Sequence, residues 1–195
     1  MNKELLKKNF EAHGFTTQFF DTKEEATQYL TDMIKGKTIG SGGSMTLSEM
    51  GVFDKLEAGN TLYVHSVTPG TEKEALTADI FISSANGISE TGEIVNIDGA
   101  GNRVAGTLFG HEKVYFVVGR NKITPDLASA IERSKNVAAP PNCARLGKKT
   151  PCAANKDKCY DCNSPERICR ATVIIERCMS HASMEVIFID EDLGF

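Results

Sequence analysis

The chain has 195 residues, of which 41% are hydrophobic and 25% are charged, and these values exclude a disordered or collagen-like chain. The net charge of -4 gives no general attraction to polyanions, which argues against nucleic acid or an acidic membrane as the main partner. Residues 1–15 lack the apolar run of a signal peptide, and the longest apolar run, residues 114–118, is far shorter than the roughly 20 residues of a membrane-spanning helix. We therefore expect one cytoplasmic domain over residues 1–195, with a small molecule as its ligand and no membrane partner.

Helices and strands alternate in the first part of the chain. Residues 3–13 have helical spacing, and Thr22-Lys23-Glu24-Glu25 has the form of a capping box, which opens a second helix to about Ile34. These two helices belong to a predicted N-terminal helical part, residues 1–36. The residues after it predict a βαβ order, with strands at 37–39 and 61–64 and a helix over 46–57.

The same alternation continues through the rest of the chain. We predict further strands at residues 80–83, 93–97, 113–118, 172–175 and 185–189, and helices at 71–77, 102–109 and 124–135. Pro140-Pro141 is predicted to break the last helical pattern, and residues 143–178 form a cysteine-rich segment with little periodicity. Elements in this order indicate an α/β fold, with a mostly parallel sheet and helices on both faces.

A glycine-rich loop, Gly40-Ser41-Gly42-Gly43-Ser44, stands between a predicted strand and a predicted helix. In open α/β sheets, ligands bind beyond the carboxyl ends of strands, where backbone amides face an anion. Glycine lets the backbone approach a phosphate or carboxylate, the serine hydroxyls add donors, and the helix near Thr46 adds its positive end. The loop is therefore a candidate site for a small anionic ligand, and a tight turn without a ligand is the alternative.

Two familiar nucleotide-binding patterns are not completed in the sequence. Gly36-Lys37-Thr38 resembles the end of a P-loop, but the earlier glycine is missing and a strand follows. Gly99-Ala100-Gly101 lacks the third glycine and the later acidic residue of the dinucleotide pattern, so there is no NAD fingerprint. His111-Glu112 lacks the second histidine of a zinc-protease motif and is predicted to lie in a surface turn.

A second polar region, residues 83–103, is crowded with amides, hydroxyls and glycines. Its candidate ligand-binding residues are Asn86, Thr91, Gly92, Asn96, Gly101, Asn102 and Arg103. An arginine is able to pair with a carboxylate or phosphate, although a lone arginine is more often part of a surface ion pair. Glu90 and Asp98 are the candidate catalytic carboxylates, as a general base or as partners of a hydroxyl group. Turn chemistry is the alternative explanation for each of these residues taken singly.

The six cysteines are concentrated near the carboxyl end of the chain. Cys152, Cys159, Cys162 and Cys169 form a C-x6-C-x2-C-x6-C array, which Cys143 and Cys178 flank. In a reducing compartment such clusters are more often metal ligands or redox groups than disulfides. Four thiolates suit an iron–sulfur cluster such as [4Fe-4S], or tetrahedral zinc, and the eight Lys/Arg against four Asp/Glu of residues 143–178 favour thiolates. The alternative is a set of reduced thiols packed as small apolar groups.

Five strings cover most of the chain after about Lys37. They are GSGGSMTLSEMG, SSANGISETGEIVNIDGAGNRV, VVGRNKITPDLASAIERSKNVAAPPN, TPCAANKDKCYDCNSPERIC and the ending LGF. Together they resemble the LUD-domain family of lactate-utilisation proteins. More distantly, a glycine-serine loop after a strand followed by a T-G-x-x-x-N segment is similar to sugar-phosphate isomerases and CoA transferases. The resemblance implies the NagB/RpiA/CoA-transferase-like fold.

The fold implied by this resemblance brings the loops at residues 40–44, 84–102 and 119–122 to one rim of the sheet. In the last of these loops, the resemblance makes Lys122, beside Asn121, a cationic partner for the ligand, and a solvated lysine is the alternative. CoA transferases use a glutamate nucleophile in a Ser-Glu-Asn-Gly segment. This chain has Ala85 at the equivalent position, so a covalent acyl route is not expected.

Three functions remain open at the level of sequence. The resemblance favours a redox-associated component of L-lactate or other 2-hydroxy-acid oxidation, with a small anionic ligand, a metal or iron–sulfur cluster and a redox partner protein. A second hypothesis is a stand-alone enzyme that acts on a sugar phosphate or an acyl-CoA. A third is a non-catalytic sensor or scaffold, in which structural zinc only orders the cysteine-rich segment.

Overall fold

The computed structural model describes all residues, 1–195, as ten strands and nine α-helices. In chain order the strands are β1 Thr16–Phe20, β2 Thr38–Ser41, β3 Thr61–Val64, β4 Ile80–Ser83, β5 Gly87–Ser89, β6 Ile94–Asp98, β7 Lys113–Gly119, β8 Ile123–Thr124, β9 Ala171–Ile175 and β10 Ser183–Ile189. The helices are α1 Lys3–Ala12, α2 Lys23–Met33, α3 Met45–Met50, α4 Val52–Leu56, α5 Glu72–Ala75, α6 Asn102–Leu108, α7 Leu127–Arg133, α8 Ala139–Arg145 and α9 Pro151–Asn155. None of these helices combines the length and the apolar character needed to cross a membrane.

The central sheet has six parallel strands in the order β1-β10-β7-β4-β2-β3. Residues of its inner strands alternate between two cores, one on each face. In β7, Tyr115 and Val117 face one core, whereas Phe116 and Val118 face the other. This is the two-residue period that a strand buried on both faces must follow. The structure confirms the predicted α/β fold with a mostly parallel sheet.

The two faces of the central sheet are covered by different elements. On one face, α2, α3 and α4 supply Leu30, Leu47 and Phe53 to the core. On the other face, α1 supplies Leu6 and Phe10, and a second sheet in the order β8-β5-β6-β9 completes the cover. Helices on both faces were predicted from the sequence, whereas the second sheet was not. Two of its strands have only three and two residues, too few to show a period.

The predicted glycine loop and the helix after it differ from the structure. Gly40 and Ser41 belong to β2, so the loop proper is Gly42-Gly43-Ser44. The helix predicted over residues 46–57 is divided into α3 and α4 at Gly51, whose φ of 61° is left-handed and therefore ends the first helix.

Two other predictions near the rim and the core need correction. Pro140-Pro141 does not break the helical pattern, because the pair lies in the first turn of α8, where proline has no helical hydrogen bond to lose. His111 is buried and does not lie in a surface turn. Its Nδ1 is 2.6 Å from the carbonyl oxygen of Ala78, and its ring packs on Phe81.

The carboxyl ends of the parallel strands define one edge of the central sheet, which we call the rim. Strands β10, β7, β4 and β2 are neighbours in the sheet, so the segments that follow them meet at this edge. These segments are residues 190–195, 120–122, 84–86 and 42–44. The rim is therefore the place where loop residues from distant parts of the chain come together.

Candidate functional site

A small polar cavity, the rim cavity, opens among these loops and α8. Its lining residues are Gly43, Ser44, Met45, Ser84, Ala85, Asn86, Arg103, Lys122, Ala138, Asn142, Arg145 and Phe195. The volume of about 70 Å³ is far below the roughly 300 Å³ at which pockets for drug-sized ligands begin. Three of the lining residues are cations and none is Asp or Glu. The rim cavity is therefore positively charged and suited to a small molecule.

Lys122 is the deeply buried cation of the rim cavity, with only 4% of the residue exposed. Its Nζ donates to Thr46 Oγ1 at 2.7 Å and to Ser84 Oγ at 3.1 Å. It also donates to the carbonyl oxygen of Ala85 at 3.1 Å. No carboxylate is among these partners. Lys122 is thus hydrogen-bonded only to hydroxyl and carbonyl oxygens.

The surroundings of Lys122 disfavour its charged form. Burial, followed by the positive charges of Arg133 and Arg103, lowers the pKa of Lys122 to about 7, against a smaller opposing effect of Glu49. A lysine with this pKa is present in both protonation states near neutral pH. It is able to attract an anion as a cation and to exchange a proton.

Arg103 fixes the wall of the rim cavity. Its guanidinium donates to Asn96 Oδ1 at 2.6 Å and to Asn86 Oδ1 at 2.9 Å. It also donates to the carbonyl oxygen of Ile97 at 2.6 Å, and Asp98 Oδ2 lies 3.8 Å from Nε. These contacts fix the orientation of the guanidinium. Arg103 therefore contributes charge and shape to the cavity while its NH1 and NH2 groups already donate hydrogen bonds within the protein.

Unoccupied donors remain on the cavity wall. Asn86 Nδ2 and Asn142 Nδ2 donate no hydrogen bond within the protein, although both residues line the cavity. Oδ1 of Asn142 accepts from Arg145 Nε and NH2 at 3.1 Å and 2.8 Å, and this orients the amide. An anion in the cavity would find these amide donors together with the charge of Lys122.

Gly40 and Ser41, two residues of the predicted ligand loop, do not line the rim cavity. A Cβ atom on Gly40 would lie 2.2 Å from the carbonyl oxygen of Ala75, so glycine is required there by packing. The Ser41 hydroxyl is buried and donates to the carbonyl oxygen of Ile82 at 2.7 Å. Gly40 thus lets α5 pack closely on the sheet, and Ser41 links β2 to β4.

The rest of the glycine loop borders the cavity. Gly43 and Ser44 line it, and the Ser44 hydroxyl caps α3 by accepting from the backbone N–H of Leu47. A Cβ atom on Gly42 would lie 2.7 Å from Cβ of Arg103. Glycine at this position therefore lets the arginine stand directly against the loop.

The candidate catalytic carboxylate Asp98 lies outside the lining of the rim cavity. Its Oδ1 accepts from the backbone N–H groups of Ala100 and Gly101 at 3.0 Å and 2.9 Å. Its Oδ2 accepts from the N–H of Val104 at 3.2 Å. These bonds occupy both oxygens and fix the start of α6. The geometry gives Asp98 the role of positioning α6 and, through it, Arg103.

Glu90, Thr91 and Gly92 form the turn between β5 and β6, and none of them lines the rim cavity. The turn packs on α1 instead. Asn9 Nδ2 donates to the carbonyl oxygen of Glu90 at 2.6 Å, and His13 Nδ1 lies 3.1 Å from the carbonyl oxygen of Gly92. The structure thus separates the second candidate carboxylate from Lys122.

Thr46 and Asn121 support the rim from behind. Thr46 Oγ1 donates to the carbonyl oxygen of Leu193 at 3.2 Å while it accepts from Lys122. Asn121 Oδ1 accepts from the N–H of Leu193 and its Nδ2 donates to the carbonyl oxygen of Gly194, both at 3.1 Å. Residues 193–195 are tied to the rim by these bonds.

Asn96 and Asn102 lie next to Arg103 without lining the rim cavity. Asn96 is buried in β6, and its Nδ2 has no hydrogen-bond partner although its Oδ1 accepts from Arg103. Asn102 is the first residue of α6. Both residues belong to the support of the arginine.

A second cavity, the cysteine cavity, gathers most of the cysteines. It has a volume of about 20 Å³, and its lining residues are Lys135, Ala139, Cys143, Thr150, Cys152, Cys159, Tyr160, Cys162, Arg167, Ile168 and Cys169. The four cysteines of the predicted array therefore lie together, with Cys143 as a fifth. Helix α8 borders both cavities, because Asn142 lines the rim cavity and Cys143 lines the cysteine cavity.

Burial favours the neutral form of two thiols in the cysteine cavity, those of Cys143 and Cys169. Burial raises the pKa of Cys143, and it raises the pKa of Cys169 to about 11. Thr150 Oγ1 lies 3.0 Å from Cys143 Sγ and 3.3 Å from Cys152 Sγ. No three His, Cys, Asp or Glu side chains are arranged closely enough to hold a metal ion as they stand. Metal binding here would require loss of thiol protons and a closer approach of the sulfurs.

Cys178 lies apart from the other cysteines. Its Sγ is 3.4 Å from the carbonyl oxygen of Ala182, and its side chain packs against the core beneath α1. It is absent from the lining of the cysteine cavity. Cys178 is therefore a matched control for changes to the cavity cysteines.

Three residues at the rim were not predicted from the sequence. Arg133 is buried, and its Nε donates to the carbonyl oxygen of Asn121 at 2.8 Å. Asn142 and Arg145 reach the rim cavity from α8. Because the proline pair at the start of α8 predicts a helix break, the sequence does not predict this helix or the position of Asn142 and Arg145 on it. No sequence signal distinguishes Arg133 from a surface arginine of α7.

Comparisons with known proteins identify the family of the chain and support its fold. The model of the LUD domain family matches residues 3–189. The solved structure of a DUF162 family protein from Deinococcus radiodurans is similar, with a TM-score of 0.55, 13% identity and coverage of 96% of this chain and 95% of that chain. At this identity the likeness shows the fold alone, and no curated protein matches the chain. Because the family model spans nearly the whole length, the chain belongs to the LUD-domain family.

Proposed function

We propose that the protein binds a small carboxylate or phosphate anion in the rim cavity, as a redox-associated component of the oxidation of L-lactate or a related 2-hydroxy acid. The observation that carries the proposal is a small cavity lined by Lys122, Arg103 and Arg145 and by no Asp or Glu side chain. Among these cations Lys122 is buried and has no carboxylate among its hydrogen-bond partners, which is costly, and an anionic ligand supplies the missing charge. The link to lactate comes from the LUD-domain family, and the cavity's small volume is in keeping with it.

The wider relationship we propose is to the NagB/RpiA/CoA-transferase-like fold, in which ligands bind at the carboxyl ends of parallel strands. The rim cavity lies at this edge of the sheet. Ala85 lines the cavity at the position where CoA transferases carry a glutamate nucleophile. The lining contains no Asp or Glu, which supports a function other than acyl transfer through a glutamate nucleophile.

Titration calorimetry with L-lactate and with inorganic phosphate tests the anion site. We expect both to bind at about pH 7, and Lys122→Met to weaken binding at least about tenfold, since a charge-assisted contact is lost. Lys37→Met is the matched control, because Lys37 is exposed at the opposite edge of the sheet and pairs with Glu112. A wild-type protein that binds neither anion, or a Lys122→Met variant that binds as well as wild type, would contradict the proposal.

A metal or iron–sulfur cluster in the cysteine cavity is our second proposal. It is supported by five cysteines that line one cavity, among them the array Cys152, Cys159, Cys162 and Cys169. These four thiolates would hold the group, and Cys143 lies beside them. An iron–sulfur cluster would supply one-electron transfer, whereas zinc would only order residues 146–170.

A redox partner protein belongs to the same proposal. An open groove of about 980 Å³ lies beside the rim cavity, and Arg145 and Phe195 line both. The groove is also lined by Lys148, Lys149 and Lys156 and by no acidic residue. Such a surface favours an acidic partner, whose binding should weaken steeply with salt.

Anaerobic purification followed by metal analysis and a visible spectrum tests the second proposal. A broad absorption band at about 400 nm would support an iron–sulfur cluster, and stoichiometric zinc without colour would support the scaffold function. Cys159→Ser or Cys162→Ser should abolish metal binding, while Cys178→Ser should leave it unchanged. Protein free of both metals after reconstitution, or loss of metal in Cys178→Ser alone, would contradict the proposal.

A further inference from the structure

Lys122 differs from the other lysines of the chain because it is the only one that is buried. Lys37 and Lys113 illustrate the usual case, since each pairs with a carboxylate, Glu112 and Glu185 respectively. Lys122 instead contacts two hydroxyls and a carbonyl oxygen. A hydroxyl group is able to accept from an ammonium and to donate to a neutral amine, so this setting accommodates both forms.

The charged groups that face Lys122 come from three helices. Arg103 of α6 and Arg133 of α7 repel the ammonium, and Glu49 of α3 attracts it more weakly. The Glu49 carboxylate is also engaged at 2.7 Å by the N–H of Gly194. With a pKa of about 7, a substantial fraction of Lys122 is a free amine at neutral pH. A desolvated lysine of this kind is the usual nucleophile toward carbonyl compounds.

We propose that Lys122 is a carbonyl-reactive amine that forms a Schiff base with a small 2-oxo acid held in the rim cavity. The inference rests on the proposed function and deepens it, because the same cavity must first bind the carboxylate. A 2-oxo acid carries its carbonyl next to the carboxylate, so both groups fit one cavity of about 70 Å³. Arg145 and the amide of Asn142 face the carboxylate, and Nζ of Lys122 faces the carbonyl carbon.

The reaction needs only groups that line or support the cavity. The lone pair on Nζ forms a C–N bond with the carbonyl carbon as the C–O π bond breaks, and the oxygen takes a proton. The resulting carbinolamine loses its hydroxyl as water when the nitrogen lone pair forms the C=N bond. The hydroxyl leaves with one proton taken up from solvent, so free amine, ketone and that proton give a protonated imine and water, with no oxidant or reductant. Ser84 and Thr46, whose hydroxyl oxygens lie 3.1 Å and 2.7 Å from Nζ, relay the proton.

Reductive trapping tests the inference. The full chain is incubated with pyruvate, a small 2-oxo acid, and cyanoborohydride, which converts an imine to a stable secondary amine, and peptide mass mapping locates the product. At about pH 7.5 we expect Lys122 to be modified about a hundredfold faster than Lys37, because an ordinary lysine is almost fully protonated at that pH. The rate at Lys122 should rise with pH and level off above about pH 8, once the amine is mostly neutral.

Two variants separate binding from covalent capture. Lys122→Arg keeps a positive charge and removes the nucleophile, so it should bind pyruvate in calorimetry and form no adduct at this position. Lys37→Arg should leave the adduct on Lys122 unchanged. Mapping of the wild-type chain identifies the modified residue by itself, even where the Lys122→Arg variant does not fold.

The outcomes distinguish this inference from the anion site on which it rests. Pyruvate that binds in calorimetry but leaves no adduct on Lys122 would overturn the Schiff base and leave the anion site standing. Adducts spread evenly over the exposed lysines would overturn it as well. A protein that binds neither pyruvate, lactate nor phosphate would overturn both proposals.

Discussion

The two cavities that α8 separates bury ionisable groups of opposite kinds. The rim cavity buries the amine of Lys122, and the cysteine cavity buries the thiols of Cys143 and Cys169. Burial lowers the pKa of the amine and raises the pKa of both thiols, so it favours the neutral form in each place. The consequence differs, because a neutral amine is the reactive form of lysine and a neutral thiol is the unreactive form of cysteine.

The scaffolds around the two cavities differ as well. The rim cavity is bounded by strand ends and by Arg103, whose hydrogen bonds fix the wall. The cysteine cavity is bounded largely by residues 146–170, in which α9 is the only regular element. There Arg167 donates to the carbonyl oxygens of Cys162 and Cys169 at 2.7 Å and 2.8 Å. A cavity bounded by strand ends and a cavity bounded by a largely irregular segment thus share one helix.

Removal of Arg103 is expected to have the largest effect on the rim cavity. In Arg103→Met, the oxygens of Asn86, Asn96 and Ile97 each lose a charged donor, and Asp98 loses its ion pair, which should lower the free energy of unfolding by about 3 kcal/mol. Urea unfolding measures this loss. Arg120→Met is the matched control, because Arg120 pairs with Asp190 and Asp192 at an exposed site, and about 1 kcal/mol or less is expected. Equal losses in the two variants would show that the Arg103 network does not hold the rim.

The pH dependence of stability should show the contrast between the two cavities. The pKa of Lys122 falls from 10.5 in the unfolded chain to about 7, so the folded state binds fewer protons between these values and stability rises with pH. The pKa of Cys169 rises from 9.0 to about 11, so its contribution is complete below pH 9.0 and is lost toward pH 11. Of these two groups, only Lys122 therefore changes the free energy of unfolding between about pH 7 and 9.

Lys122→Met should remove the rise in stability over this window. The expected difference in slope between wild type and variant is at most about 1.4 kcal/mol per pH unit, which urea unfolding at several pH values resolves. Lys37→Met should keep the wild-type slope, because Lys37 is exposed and pairs with Glu112. Parallel curves for wild type and Lys122→Met would mean that Lys122 keeps an ordinary pKa, and the rim cavity would lose its reactive amine.

Local sequence signals predicted most of the scaffold. The capping box forms as expected, with Thr22 Oγ1 accepting from the N–H of Glu25 and the Glu25 side chain accepting in return. The strands at Thr61–Val64 and Ile80–Ser83 have the predicted bounds. What failed were elements whose formation depends on distant partners, namely the short strands of the second sheet and helix α8 with its two prolines.

The rim cavity was less accessible to sequence reasoning than the scaffold. The parallel order of the strands brings Ser44, Asn86 and Lys122 to one place, as the resemblance implied. The burial of Lys122 could not be predicted, because no local pattern separates a lysine held by hydroxyls from a solvated one after a strand. The position of Glu90 in the chain makes it a candidate catalytic carboxylate, yet the hairpin of β5 and β6 places it against α1.

Arg145, at the boundary between the rim cavity and the open groove, offers the smallest and most selective change. Its side chain is exposed at the mouth of the rim cavity and donates to Asn142. In Arg145→Gln we expect lactate affinity in calorimetry to fall about threefold at low salt and the difference to disappear at high salt, because an exposed charge is screened. Lys156→Gln, in the neighbouring groove, should have no effect. If Arg145→Gln weakened binding as much as Lys122→Met at high salt, Arg145 would bond the anion directly, and its role as a screened charge at the mouth of the cavity would be contradicted.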